Sequence, residues 1–385
     1  MFVASCTFDE QLDPNAPSAN SVSSDASLNE LNLLATGIEG TMRNGFETYV
    51  TASGSIAREL YKFDADPRNT EELLGKDGAP LDNNTFYLTS TYNSRYRVVK
   101  NCNILLDALN NTNSVSENEK NGYRGYANTV KALMFTQVLN NLGSNGIRVD
   151  VADPNNLGPF LSEDAAWDAI GALLDEAQGQ LSGASFAFDL SSGFEGFDTP
   201  QTFTLFNRAL AARVALYSGD YGGAILELSN SFFDGAGDLS IGPKHVFSTG
   251  SGDATNPVFK PAGQSGDQLV VHNRFLDNST AGDARLSKFR ARIDATSQDG
   301  LNGTHETALY ATNSDPIDII RNEELILIFA EASIQLGNTI EAVNAINIIR
   351  NAHGIGDYTG STDQEALIDE MLYQRSYSLW GEGII

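Results

Sequence analysis

The chain has 385 residues, with 24 Lys and Arg against 50 Asp and Glu, a formal charge of −26. No basic stretch offsets this excess, so a nucleic-acid partner, which needs cations to displace phosphate counterions, is excluded. With 41% hydrophobic and 19% charged residues the chain can bury an ordinary core, and its two cysteines make neither a disulfide framework nor a zinc site.

Cys6 follows Val3-Ala4-Ser5, small residues of the kind a signal peptidase accepts in a narrow groove. Two readings stand: the remnant of a trimmed signal with Cys6 as a lipidation site, or a free cysteine in a frayed terminus, and the small residues favour the first. Residues 1–26 are rich in Asp, Asn, Ser and Pro and read as a flexible tether. No later run reaches the ~18 apolar residues of a membrane span, so residues 27–385 are expected to form one domain anchored to a membrane without crossing it.

Apolar spacing over 27–60 fits one kinked helix or two shorter ones. Periodicity vanishes over 62–84, which reads as a long loop. It returns over 87–109. Ser116 and Glu119 then form a capping box for a helix reaching Gly143, and Ser162 opens another, with Trp167, Ile170, Leu174, Ala177 and Leu181 on one stripe. Further helices are expected over 202–217, 222–229, 319–336, 340–351 and 363–380. Residues 230–315 are rich in Gly, Asp, Asn and Ser, with short strand-like runs such as 268–273. Trp167, Trp380 and Cys102 fall on apolar stripes and are expected in the core.

Two helix pairs share one spacing. Ala212, Gly219 and Ala224 stand at the same intervals as Ala330, Gly337 and Ala342. Small residues let antiparallel helices approach closely, and Gly ends the first helix in a left-handed conformation. This is the tetratricopeptide pattern, although a generic all-α bundle would place Ala and Gly similarly. The copies are separated by a long insertion.

Catalytic signatures are missing. No phosphate loop, H-E-x-x-H or G-x-S-x-G occurs, and His245, His272, His305 and His353 lack ligand spacing. The 294–300 stretch only faintly resembles a calcium loop, with Thr296 and Gln298 at ligand positions and His305 in place of the bidentate acid. Neither catalysis nor a cofactor or metal is expected.

Several segments carry a family likeness: Tyr96 to Asn103, Tyr126 with Lys131, Arg208 to Tyr221, Arg321 to Glu331, Asn347 to Arg350, and Gln374-Arg375 followed by Glu382-Gly383. In this order the chain resembles the SusD/RagB family. The resemblance implies an all-α fold, with four tetratricopeptide-like hairpins, minor short strands and a loop-rich ligand face. It further implies a lipidated, surface-exposed outer-membrane protein that captures glycan for a SusC-like TonB-dependent transporter. Asp9 and Glu10, just after Cys6, resemble the surface-export signal of lipoproteins in the Bacteroidetes. Alternatives are a scaffold that grips only its protein partner, a peptide cargo, or a helical glycosidase. Two departures stand out. Relatives continue after Glu-Gly with Arg and an Asp-Leu-Arg-like stretch, whereas Ile384-Ile385 follow here, which reads as a missing or unusual C-terminal part. Relatives also often place Trp ahead of the Tyr96 helix, where this chain has Tyr87 and Tyr92.

A sugar ring offers an apolar C–H face and a rim of hydroxyls, which calls for an aromatic plane beside Asn, Asp or Arg. Tyr61, Phe63, Asp64, Asp66, Arg68, Asn83, Asn84, Phe86 and Tyr87 supply that mixture in the first loop region. His272, Arg274, Phe275 and Tyr310 supply it in the inserted stretch. The acidic excess favours a neutral glycan, such as a glucan, over an anionic one.

Overall fold

The structure, a computed structural model, describes residues 19–384. Cys6, and with it the lipidation expectation, lies outside them.

Local signals set the helix ends. Ser27 and Ser116 each accept a hydrogen bond from the backbone of the Glu three residues on and receive its side chain in return. These boxes open α2 (Leu28–Met42) and α6 (Glu117–Leu142), and Ser162 caps α7 (Glu163–Leu181). Ahead of α2 comes α1 (Ala19–Asp25), and after it α3 (Phe46–Ile56), so the 27–60 pattern resolves into two helices. The expected tether is therefore helical from Ala19. Val22 and Ala26 bury against the core, and Thr112 donates to the Ala26 carbonyl.

After α3 the chain forms β1 (Leu60–Asp64) and α4 (Arg68–Glu71), then α5 (Phe86–Asn111). The long helices continue with α8 (Pro200–Tyr217) and α9 (Tyr221–Ser229). The inserted stretch holds β2 (Lys244–His245), β3 (Asp267–Val271), α10 (Arg274–Asp277), β4 (Phe289–Gln298), β5 (Leu301–Thr307) and β6 (Ile317–Asp318). Three helices close the chain: α11 (Asn322–Gln335), α12 (Thr339–Ala352) and α13 (Gln364–Ser378).

The long helices stack in succession. α2 packs on α5, α5 on α6, α6 on α7, α7 on α8, α8 on α9, α9 on α11, and α11 on both α12 and α13. This is the expected all-α architecture of tetratricopeptide-like hairpins with minor strands. Ala212, Ala224, Ala330 and Ala342 are all fully buried, as close helix approach requires, and Gly219 and Gly337 take φ of 80° and 75° at the turns. Trp167, Trp380 and Cys102 lie in the core.

The residues that carry the family likeness are braces. Tyr96 donates to the Arg148 carbonyl at 2.7 Å and Asn103 to that of Val151 at 3.1 Å, tying down the loop before α7. Arg208 bridges Asp175 and Glu227, and Arg213 grips Glu324 through two bonds of 2.6 and 2.7 Å. Arg321 joins Glu323 and Glu382, Arg375 joins Glu331, and Arg350 joins Glu370.

The 62–84 expectation needs correction, because its first residues are a strand. β1 pairs antiparallel with β3, Leu60 opposite Val271 and Asp64 opposite Asp267, in a sheet ordered β1-β3-β5-β4. The partner strand is some two hundred residues away in sequence, so no local periodicity announces the pairing. The sheet stands beside the helical stack over a second core of Leu60, Leu269, Val271, Phe275, Phe289 and Trp380.

Candidate functional site

The β1–β3 pairing unites the two sequence-remote clusters. The His272 backbone donates to the Glu59 carbonyl at 3.0 Å, and the Tyr61 and His272 rings meet with centroids 5.0 Å apart. Both rings are half-buried. Burial, followed by the neighbouring Arg274 and Arg58, lowers the His272 pKa, and burial raises that of Tyr61. The pair therefore stays uncharged at neutral pH, two rings tilted 44° to each other that carry a phenol and an imidazole.

Beyond β1 the chain turns into α4 through polar bonds. Asp64 Oδ1 accepts the Asp66 backbone N–H at 2.7 Å and the Asn69 Nδ2 donor at 2.6 Å. Asp66 takes a bidentate grip on Arg68, at 2.9 and 2.6 Å, which holds the Asp66 carboxyl below its usual pKa. The Arg68 guanidinium then lies over the Phe86 ring, 4.6 Å from its centroid, at the start of α5. Phe86 is 37% exposed, and Asn83 and Asn84 beside it are exposed as well.

Not every candidate faces solvent. Phe63, Tyr87 and Phe275 are buried, Phe63 stacked under Tyr61 at 5.9 Å, Tyr87 against Ala52 and Leu73, and Phe275 in the second core. They support the exposed groups instead of presenting faces of their own. The Tyr87 hydroxyl donates to Asn69 Oδ1 at 2.6 Å. Arg274 is exposed and lies over the Phe275 ring. Tyr310 stands apart, packed on the second core, where burial, then the charges of Glu382 and Asp318, raises its pKa.

Residues not among the sugar-contact candidates complete the site. The β4–β5 hairpin leans over α4: Thr70 donates to Asp299 at 2.6 Å, Gln298 donates to the Asp64 carbonyl at 2.8 Å, and Lys76 lies 3.5 Å from Asp299. Asp299 and Gly300 form its two-residue turn with φ of 52° and 84°, the doubly left-handed turn that matches strand twist. An Asp-Gly pair between candidate strands is the sequence signal that marks this hairpin. The site thus offers the part-exposed Phe86 ring, the half-buried Tyr61 and His272 rings, the Asp64 and Asp66 carboxylates and the Arg68 guanidinium. It can stack a ring and bond its hydroxyls. Among the described residues, no group of three or more His, Cys, Asp or Glu is placed to hold a metal ion.

Comparison with known proteins gives a family and a fold. The SusD family model, SusD_RagB, matches residues 106–384. A surface glycan-binding protein A from Bacteroides thetaiotaomicron, solved with laminarihexaose, superposes with a TM-score of 0.71 at 13% identity, over 92% of this chain and 88% of that one. A SusD superfamily protein from the same organism gives 0.70 at 16% identity, over 93% and 87%. A SusD-like carbohydrate binding protein from Bacteroides vulgatus gives 0.64 at 16%, over 93% and 82%. At such identities the likeness is one of fold. No curated protein matches the chain.

Proposed function

Because the chain belongs to the SusD family, we propose that it is a non-catalytic glycan-binding protein of the cell surface, capturing poly- or oligosaccharide for delivery to a SusC-like TonB-dependent transporter. The observation that carries this reading is the part-exposed Phe86 ring with the Asp66-bound Arg68 guanidinium over one face, next to the turn that Asp64 ties together. An aromatic ring next to a bidentate polar pair suits a sugar's two kinds of surface. Support for a sugar ligand also comes from the structural neighbour solved with laminarihexaose.

The charge of −26 favours a neutral glycan. Arg68, already neutralised by Asp66, adds little attraction for an anionic one. Anchoring falls to an acylated Cys6. No described helix is long and apolar enough to cross a membrane.

Native gels cast with a β-1,3-glucan, an α-glucan, a mannan and a xylan test the reading, run beside a reducing-sugar assay. Retardation by one neutral polysaccharide without product is the expected result. Released sugar would point to a glycosidase, and unretarded migration in all four would remove the glycan-binding role. Mass analysis of Cys6 in protein from native membranes tests the anchor.

A further inference from the structure

Tyr87 has the composition of a sugar platform and the location of a core residue, only 3% exposed. Its hydroxyl nevertheless reaches the rim through one intermediary. Tyr87 donates to Asn69 Oδ1 at 2.6 Å, and Asn69 Nδ2 donates to Asp64 Oδ1 at 2.6 Å. The direction of both bonds is fixed by chemistry: an ionised carboxylate only accepts, so the amide must turn its NH2 toward Asp64 and its oxygen toward the phenol. Burial raises the Tyr87 pKa, which keeps the phenol protonated and donating.

The far end of this relay is a half-satisfied carboxylate. Asp64 Oδ1 is used twice, by Asn69 and by the Asp66 backbone at 2.7 Å. Among the described residues Oδ2 has only the Lys62 ammonium nearby, an ion pair at 3.7 Å, beyond hydrogen-bonding distance. The carboxylate is thus pinned by one oxygen and offers the other, with a side chain 20% exposed on the rim. Asn69 itself is 2% exposed and has no solvent to stand in for a lost donor. Without the phenol, its oxygen would be orphaned in a buried site, and the amide would lose the bond that fixes its NH2 on Asp64, loosening the carboxylate's orientation.

We propose that Tyr87 is a positioning residue that acts through Asn69 to aim Asp64 Oδ2 at a hydroxyl of the bound sugar, joining α5, α4 and β1 in one relay. This rests on the glycan-binding reading and deepens it. Asp64 is the ligand contact, and Tyr87 touches no ligand.

A double-mutant cycle tests it, using the full chain and whichever of the four polysaccharides retards the parent most. Tyr87→Phe keeps the ring and removes only the donor, and is expected to weaken apparent affinity about three- to tenfold, the scale of one lost hydrogen bond. Asp64→Ala should weaken it at least as much. On the Asp64→Ala background, Tyr87→Phe should cost nothing further, because the relay then has nothing to aim. Asn69→Asp, which keeps the shape but faces Asp64 with an acceptor, should match or exceed the Tyr87→Phe loss. Melting temperatures of all variants are recorded alongside, since a purely structural Tyr87 would lower melting and lose the same binding factor on both backgrounds. Equal losses on both backgrounds, or undiminished binding by Tyr87→Phe, would overturn the relay while leaving glycan binding intact. A parent retarded by none of the four polysaccharides would overturn both readings together.

Discussion

The Arg68 guanidinium sits 4.6 Å from the centre of the Phe86 ring while its Nε–Nη2 edge is held by Asp66. One face of the ring is therefore covered by a flat, charge-compensated group. Phe86→Ala should weaken polysaccharide retention about fivefold or more, as the loss of a stacking ring does. Melting should shift by under about 1 kcal/mol, because Phe86 is 37% exposed. Affinity electrophoresis with parallel thermal denaturation checks both halves, and full retention would move the site away from α5.

The helical stack depends on a charge pair between α8 and α11. Arg213 and Glu324 are both nearly inaccessible, and Arg213 also donates to the Ile319 carbonyl. Glu324→Leu should destabilise the fold by about 3–5 kcal/mol, because the arginine is left buried and unpaired. Replacing both partners by Met and Leu should recover most of that loss. Urea unfolding of the two variants decides it, and a double variant as unstable as the single one would contradict the argument.

Glu59 gives the fold a pH dependence. Burial, opposed by the Gly381 backbone donor and the Arg274 charge, lifts its pKa to about 7. The folded-state value lies above the ordinary carboxyl value, so the folded state binds the proton more tightly. Its contribution is fully present below about pH 4.5 and is lost as pH rises through about 7. Glu59→Gln keeps an acceptor for Gly381 and removes the titration. Relative to the parent it should gain stability between pH 5 and pH 8, by at most roughly 3 kcal/mol. Melting curves across that range check the sign, and a constant gap between the two proteins would show that Glu59 ionises normally.

Two glycines with similar φ should respond unequally to alanine. Gly219, at φ 80°, has no atom within 4 Å of where a Cβ would stand, so Gly219→Ala should cost only the left-handed strain, about 1 kcal/mol. At Gly146, φ 67°, the new carbon would fall 1.8 Å from the Leu161 carbonyl oxygen, opposite an isolated bridge between Ile147 and Leu161. Gly146→Ala should cost several times more. Comparative denaturation of the pair tests whether the close approach to Leu161, together with a ψ of −176° that only glycine adopts readily, makes Gly146 the costlier position.

Much of the scaffold was written locally. The boxes at Ser27 and Ser116 close over three residues, and the Ala212–Gly219–Ala224 spacing encodes a turn and a close crossing within a dozen positions. Interactions of such short range leave a periodic trace that can be read without coordinates. The ion pairs of Arg321, Arg350 and Arg375 follow the same logic at one remove, since a charged group on a buried helix face has to find a partner.

The rim was legible only in composition. The amino-acid sequence by itself determined the helices, their pairing rule, the acidic charge and the set of side chains able to meet a sugar. Which of those side chains face outward was decided by tertiary structure. The register of β1 against β3 buries Phe63 while leaving Tyr61 to meet His272, and the packing of α5 turns Tyr87 inward and Phe86 outward. The physical reason is that a side chain's exposure depends on what its element packs against, and for β1 and α4 those partners, β3 and the β4–β5 hairpin, lie some two hundred residues along the chain.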